Sequence, residues 1–322
     1  MLAILAPGQG SQKPGFLRPW LDVNGVEARL RWWSAAAGVD LVHLGTEADA
    51  EEIKDTARTQ PLLVAAGLAA AEQLPLDPVQ VVAGHSIGEL TAAAVAGALS
   101  TESALLLAGV RGREMAAACA VEPTGMSAVL GGEPDAVAAA IEAAGLTPAN
   151  RNGAGQIVAA GALPALEKLA AEPPAGTRVR PLAVAGAFHS PYMAPAEQAL
   201  AALAGGVTVT DPRRTLLSNA DGTAVTGGRD LVARLVRQVT TSVRWDLCMA
   251  TLAELGVTAV IELPPAGTLA GLVKRELKGT GVPEIVTLNT PDDLPAAREA
   301  IARHGNHEGQ PLARTAETGE QA

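Results

Sequence analysis

Aromatic side chains are scarce in this 322-residue chain, which has four Trp, two Phe and one Tyr. Ala, Leu and Val must therefore fill the interior. No long basic run occurs and the formal net charge is −10, which argues against nucleic acid as a partner. No apolar stretch is both long enough and free enough of Gly and Pro to read as a membrane span, so a soluble protein is expected. Cysteine is limited to Cys119 and Cys248, each in an apolar, helix-like context. Buried reduced thiols are the expectation, and they suit a cytoplasmic protein. The opening MLAILAPGQG has no basic n-region, and its apolar run is too short for a secretory signal. It reads as a buried first strand.

What the chain does have is apolar bulk. Hydrophobic residues make up 48% of it and charged residues 18%, enough for a large core in one big domain or two modest ones. Short apolar runs alternate with Ala/Leu-rich helical stretches. LAILAP and VQVVAG read as strands. The segment from Gln60 to Gln73 reads as a helix with a Pro in its first turn. GELTAAAVAGAL and ESALLLAGVRGREMAAAC read as helices, and VTAVIEL followed by GTLAGLVKREL reads as strand then helix. This alternation predicts an α/β fold with a mostly parallel sheet. Residues 125–185 differ. There GMSAVLGG, EPDAVAAAIEAAG, QIVAAGA, PALEKLAAE and TRVRPLAV form a β-α-β-α-β run close to a small ferredoxin-like unit. It would be inserted into a larger core of residues 1–124 and 186–303. The polar tail, 304–322, is expected to be disordered.

The most informative stretch is VVAGHSIGEL. A strand-like run stops before Gly84, and a helical run starts after Gly88. Strand, tight turn and helix are the setting a nucleophile elbow needs around Ser86. The flanking glycines permit strained dihedrals, and a helix N-terminus favours developing negative charge. Gly is plentiful here, so an ordinary serine in a Gly-rich corner remains the alternative. Of the five histidines, His85 adjoins Ser86 and would point away from it. His43 has no special context, and His304 and His307 fall in the tail. His189, in VAGAFHSPYM, is the best-placed general base, although a single histidine after an apolar run is as often structural. The Ile87 N–H and the loop PGQGSQ would supply an oxyanion hole. That loop fails as a dinucleotide fingerprint because position 13 is Lys.

PGQGSQ, GHSIGEL and GAFHS, in this order and spacing, resemble the malonyl-CoA:acyl-carrier-protein transacylases. So do RGREMA, NRNGAGQIVAAG and IELPPAGTLAGL, and the similarity spans residues 1 to about 300, closest to the free-standing actinobacterial type. The resemblance implies an α/β-hydrolase-like core with a short parallel sheet and an inserted ferredoxin-like subdomain. It implies Ser86 as nucleophile, His189 as base, the Gln9 and Ile87 N–H groups as oxyanion hole, and Arg111 as the grip on the malonyl carboxylate. Without the resemblance, Arg111 would read as a solvated helix residue. The histidine would be oriented by the backbone carbonyl of Gln238 rather than by an acid. Thr241-Ser242 stands where the family usually has Asn-Pro, which puts the local path of the Gln238 loop in question. Phe188 and Ile87 match positions that go with malonyl over methylmalonyl, although a core aromatic also explains Phe188. Asn150 and Asn152 match a loop facing the cleft, although a Gly/Asn-rich turn also explains them.

The implied reaction is a ping-pong transfer of malonyl from malonyl-CoA, through an ester on Ser86, to the phosphopantetheine thiol of an acyl carrier protein. It would serve fatty-acid or polyketide synthesis. Neither step needs a metal or a redox cofactor. An editing thioester hydrolase on the same scaffold is the main alternative, and a carrier-binding partner without activity is another. Monomer is the default state. An acidic carrier would need a local basic patch on this acidic chain, with Lys274, Arg275, Lys278, Arg178 and Arg180 as candidates.

Overall fold

A computed structural model describes residues 1–278, 281 and 283–305. Eleven strands are assigned in it: β1 (Leu2–Ala6), β2 (Val81–Gly84), β3 (Thr124–Gly131), β4 (Thr147–Gly153), β5 (Gln156–Ala162), β6 (Thr177–Pro181), β7 (Thr215–Leu217), β8 (Ala224–Val225), β9 (Val243–Arg244), β10 (Ala259–Glu262) and β11 (Glu284–Thr287). They form two sheets, ordered β11-β10-β1-β2-β7-β8 and β6-β3-β5-β4-β9.

The first sheet is parallel from β11 through β7, and β8 alone runs antiparallel. Helices cover both faces, so the central strands are apolar on both sides. Leu2, Ile4 and Ala6 of β1 enter the larger core, while Ala3 and Leu5 enter a second core on the other face. Successive side chains of a strand point to opposite faces, which is why LAILA carries no polar residue. Three of the four tryptophans, Trp20, Trp33 and Trp245, are fully buried, and Ala, Leu and Val supply most of the remaining interior. Parallel pairing sets the carboxyl ends of β1 and β2 side by side, with Ala6 opposite Gly84. The loops after them, PGQGSQ and HSIG, therefore emerge together at the end of the sheet where ligands of open α/β sheets bind.

The second sheet carries the segment predicted as an insert. Its element order is β3, helix Pro134–Ala143, β4, β5, helix Leu163–Ala171, β6, and it encloses its own small core around Val129, Ile141, Ile157 and Leu169. The sequence reading lacked one strand here. TPANRNG is β4, not a turn. It is held antiparallel to β5 with two register shifts and parallel to β9, and these neighbours override its Pro, Asn and Gly residues. Through β9, the sheet also takes in a piece of chain from outside 125–185.

Two other expectations shift. The helix read from Gln60 starts earlier, as Thr56–Ala71, because Asp55 caps the Ala57 N–H. Pro61 thus lies inside the helix and not in its first turn. His304, assigned to the tail, ends the helix Leu294–His304 and bonds Thr258 Oγ1 at 2.9 Å and Glu284 Oε2 at 3.0 Å. The rest of the expected disordered tail, residues 306–322, lies outside the described residues. Among the described residues, no helix is long and apolar enough to cross a membrane.

Candidate active site

Ser86 sits in the turn between β2 and the helix Gly88–Val95. Its φ of 53° is left-handed, a conformation that costs a non-glycine residue roughly 1–3 kcal/mol and must be held by its surroundings. Both glycines of the turn are sterically required. A Cβ on Gly84 would lie 2.1 Å from the Gly88 backbone, and one on Gly88 would lie 2.2 Å from the Ala6 carbonyl oxygen. Neither clash can relax by side-chain movement. The turn lifts Ser86 Oγ into a cavity of about 210 Å³ lined by Gln9, Gln60, His85, Arg111, Asn150, Asn152, Phe188 and His189 among others.

His189 reaches this cavity from the far side of the chain. Its Nε2 lies 2.7 Å from Ser86 Oγ, and its Nδ1 lies 2.7 Å from the carbonyl oxygen of Gln238. A carbonyl can only accept, so Nδ1 carries the hydrogen and Nε2 is left with a lone pair facing the serine hydroxyl. Burial, and next the Arg111 charge, push the imidazole down to about 3, so it is neutral and able to take a proton at physiological pH. Like Ser86, His189 has a left-handed φ, 57°. The Thr241-Ser242 departure does not displace this arrangement. Ser242 Oγ donates to the Pro148 carbonyl at 2.6 Å, and Thr241 Oγ1 to that of Arg237 at 3.0 Å, so the loop after Gln238 is anchored at both hydroxyls.

Arg111 is not a solvated helix residue. It is 3% exposed, and burial pulls its guanidinium down to about 10, against the opposing Glu89 charge. It stays protonated at neutral pH. Its Nη1 donates to Gln60 Oε1 at 2.7 Å; its Nη2 donates to Gln238 Oε1 at 2.9 Å and to Ser86 Oγ at 3.2 Å. A buried cation held on neutral acceptors beside a serine hydroxyl is a seat for an anion.

The remaining sequence candidates divide. Gln9, Phe188, Asn150 and Asn152 all line the cavity, the last two as residues of β4 and not of a turn. Among the described residues no acceptor sits on the N–H of Gln9 or of Ile87. The Ile87 side chain, however, is 1% exposed and belongs to the main core. It does not touch the cavity, so any effect on acyl choice has to act through its neighbours. His85 points away from Ser86 as expected. Its Nε2 meets Asn152 Oδ1 at 2.9 Å and its ring stands edge-on to Trp245.

Two residues escaped the sequence reading. Gln60, buried inside a helix, holds Arg111. Asn219, just after β7, accepts the Ser86 N–H on Oδ1 at 2.8 Å and donates to the Gly84 carbonyl at 2.8 Å. Because β7 pairs parallel to β2, the chain leaving it runs beside the serine turn. No local motif marks either residue.

Residues 5–303 match the family model described as the acyl transferase domain. The malonyl CoA-acyl carrier protein transacylase of Mycobacterium tuberculosis (strain H37Rv) is 56% identical over 284 residues, covering 87% of this chain and 94% of that protein. The crystal structure of MCAT from Mycobacterium tuberculosis superposes with a TM-score of 0.89 at 54% identity, over 92% of this chain and 99% of that one. A type II PKS acyl-carrier protein in complex with its malonyl-transacylase, PlMCAT:AntF, matches with a TM-score of 0.86 at 29% identity, over 92% of this chain and 99% of that one.

Proposed function

Because this chain belongs to the acyl transferase domain family, among its malonyl CoA-acyl carrier protein transacylases, we propose that it moves a malonyl group from malonyl-CoA to the phosphopantetheine thiol of an acyl carrier protein. The observation that carries this reading is the buried Arg111 guanidinium 3.2 Å from the hydroxyl that His189 is poised to deprotonate.

His189 Nε2 takes the Ser86 proton as Oγ adds to the thioester carbonyl. The oxyanion falls to the Gln9 and Ile87 N–H groups. The carbon–sulfur bond breaks, the CoA sulfur leaves with the proton from His189, and malonyl remains as an ester on Ser86. In the second half the carrier thiol gives its proton to His189 and its sulfur attacks the ester. Ser86 Oγ then leaves and recovers the proton. The Gln238 carbonyl keeps the imidazole in the required tautomer throughout. Malonyl differs from acetyl by a terminal carboxylate, which a guanidinium can grip through two N–H groups. Phe188, on the cavity wall, takes the volume a 2-methyl branch would need.

In finer terms we read the chain as an α/β-hydrolase-like core, residues 1–124 and 186–303, carrying a ferredoxin-like insert, residues 125–185. Ser86 at the carboxyl end of a parallel strand supports the first description. The β-α-β-β-α-β order and separate small core support the second. The free thiols of Cys119 and Cys248 agree with a cytoplasmic setting.

Intact mass after brief incubation with malonyl-, methylmalonyl- and acetyl-CoA tests the reading on wild type and Ser86→Ala. A malonyl adduct, absent from the variant and discharged by holo carrier protein, is the expected result. An adduct discharged as fast by water would make the chain a hydrolase. No adduct would make it a binding partner.

A further inference from the structure

Beneath the reacting atoms lies a buried carboxylate for which the mechanism above has no use. Glu89, in the first turn of the helix Gly88–Val95, is 4% exposed. Its Oε1 accepts the Asn219 N–H at 2.7 Å and its Oε2 accepts from Gln238 Nε2. From these two partners the network forks. Asn219 clamps the serine turn on both sides, at the Ser86 N–H and the Gly84 carbonyl. Gln238 presents Oε1 to Arg111, its Nε2 also reaches the Ser86 carbonyl at 3.1 Å, and its backbone carbonyl holds His189.

Hydrogen-bond polarity makes this fork directional. An amide has one donating and one accepting end, an ionised carboxylate only accepts, and a guanidinium only donates. With Glu89 at one end and Arg111 at the other, the Gln238 amide has a single orientation that satisfies both. A proton on Glu89, or a glutamine in its place, sets donor against donor at one end or the other.

We propose that Glu89 is a positioning residue of the transfer reaction, accepting from Asn219 and Gln238 so that Arg111, the serine turn and His189 are held in one fixed relation. The proposal rests on the transacylase reading above. Glu89 touches no substrate and acts through these partners alone. The titratable and charged groups turned toward it are Arg111 on helix Thr101–Cys119, Arg234 on helix Gly228–Arg237, and the Cys248 thiol on helix Trp245–Glu254. Burial pushes the Glu89 carboxyl up to about 7, against the bonds from Asn219 and Gln238 and the two arginine charges. His189 lies far lower, at about 3. A rise of activity with pH through neutrality is therefore assigned to Glu89 and not to His189, since the ionised carboxylate is the form that completes the network.

Single-turnover malonyl loading of Ser86, followed from about pH 5.5 to 8.5, tests this on wild type, Glu89→Gln, Gln238→Met and the double variant. The wild-type rate is expected to rise with pH through about 7. Glu89→Gln should be folded by thermal melting, load malonyl ~10- to 100-fold more slowly, and show no rise. Gln238→Met keeps both the backbone carbonyl and Glu89 but cuts the branch to Arg111, so its rise should be smaller than that of wild type, even if Glu89→Gln fails to fold. The double variant should be no worse than the slower single, because linked residues are not additive. A folded Glu89→Gln with wild-type rate and pH profile, a Gln238→Met with the undiminished wild-type rise, or additive losses would overturn the proposal alone. A wild type that never takes up malonyl would overturn it together with the transacylase reading.

Discussion

At the scale of single residues, the free site holds charge and strain before any substrate arrives. Ser86 and His189 both keep left-handed backbones, and Arg111 keeps its charge with neutral oxygens for partners. A site built this way should discriminate by what completes it. Arg111→Ala is expected to cut malonyl loading about tenfold or more while changing acetyl loading far less, since a hydrogen bond to a charged group is worth ~1.5–3 kcal/mol. Comparison of kcat/KM for the two thioesters checks this, and equal losses would refute the carboxylate role. Phe188→Ser should raise the methylmalonyl to malonyl ratio. One methyl in an apolar pocket carries only about 1–3 kcal/mol, so a shift in preference is expected and not a complete switch. Competition between the two thioesters, read by mass, measures it.

The same scale shows why part of the site was legible. Ser86 declares itself because an elbow needs small residues at fixed offsets on either side, and such a need leaves a local pattern. His189 was one of few candidates. Gln60 and Asn219 have no such signature. Each is an ordinary polar residue in an ordinary element, and only the packing of distant elements turns it toward Ser86.

At the scale of elements, the wall of the cavity depends on a second buried carboxylate. Glu262, the last residue of β10, accepts the N–H groups of Gly267, Leu269 and Ala270 at 2.8–2.9 Å. It thereby satisfies the start of helix Thr268–Glu276, whose own N-cap, Gly267, offers no side chain. That helix gives Thr268, Leu269 and Leu272 to the cavity. Glu262→Ala leaves the Leu269 and Ala270 amides buried without an acceptor and should cost about 1–3 kcal/mol, visible as a lower urea midpoint. The loss should exceed that of a substitution at the exposed Glu276. Strands of unbroken apolar character, such as LAILA and VVAG, were readable because their composition and their environment agree. TPANRNG was not, because its pairing with β5 and β9 depends on chain far away in sequence.

At the scale of the whole molecule, a net charge of −10 would repel an acidic carrier. Lys274, Arg275, Lys278, Arg178 and Arg180 are all exposed. They stand close in sequence to Leu272 and Leu182, which line the cavity. Reversing Lys274 and Arg275 to Glu is expected to slow discharge of malonyl onto the carrier about tenfold at low salt, and less as salt rises. Stopped-flow rates at two ionic strengths check this, and an unchanged rate would remove that helix from the docking surface. The α/β class was visible in the alternation of apolar runs. The joining of the two sheets through β9 was not, since two residues give no pattern.

That joint bears on how such enzymes can be recombined. Strand β9 follows Gln238 by only a few residues and pairs with β4, the strand bearing Asn150 and Asn152. The segment whose Gln238 carbonyl bonds His189 thus leads straight into a border strand of the small sheet. Grafting a foreign middle segment onto this scaffold would exchange one side of that seam and leave the other behind. A working chimera is expected to need residues 238–244 along with the graft, which would make the exchangeable module discontinuous in the gene.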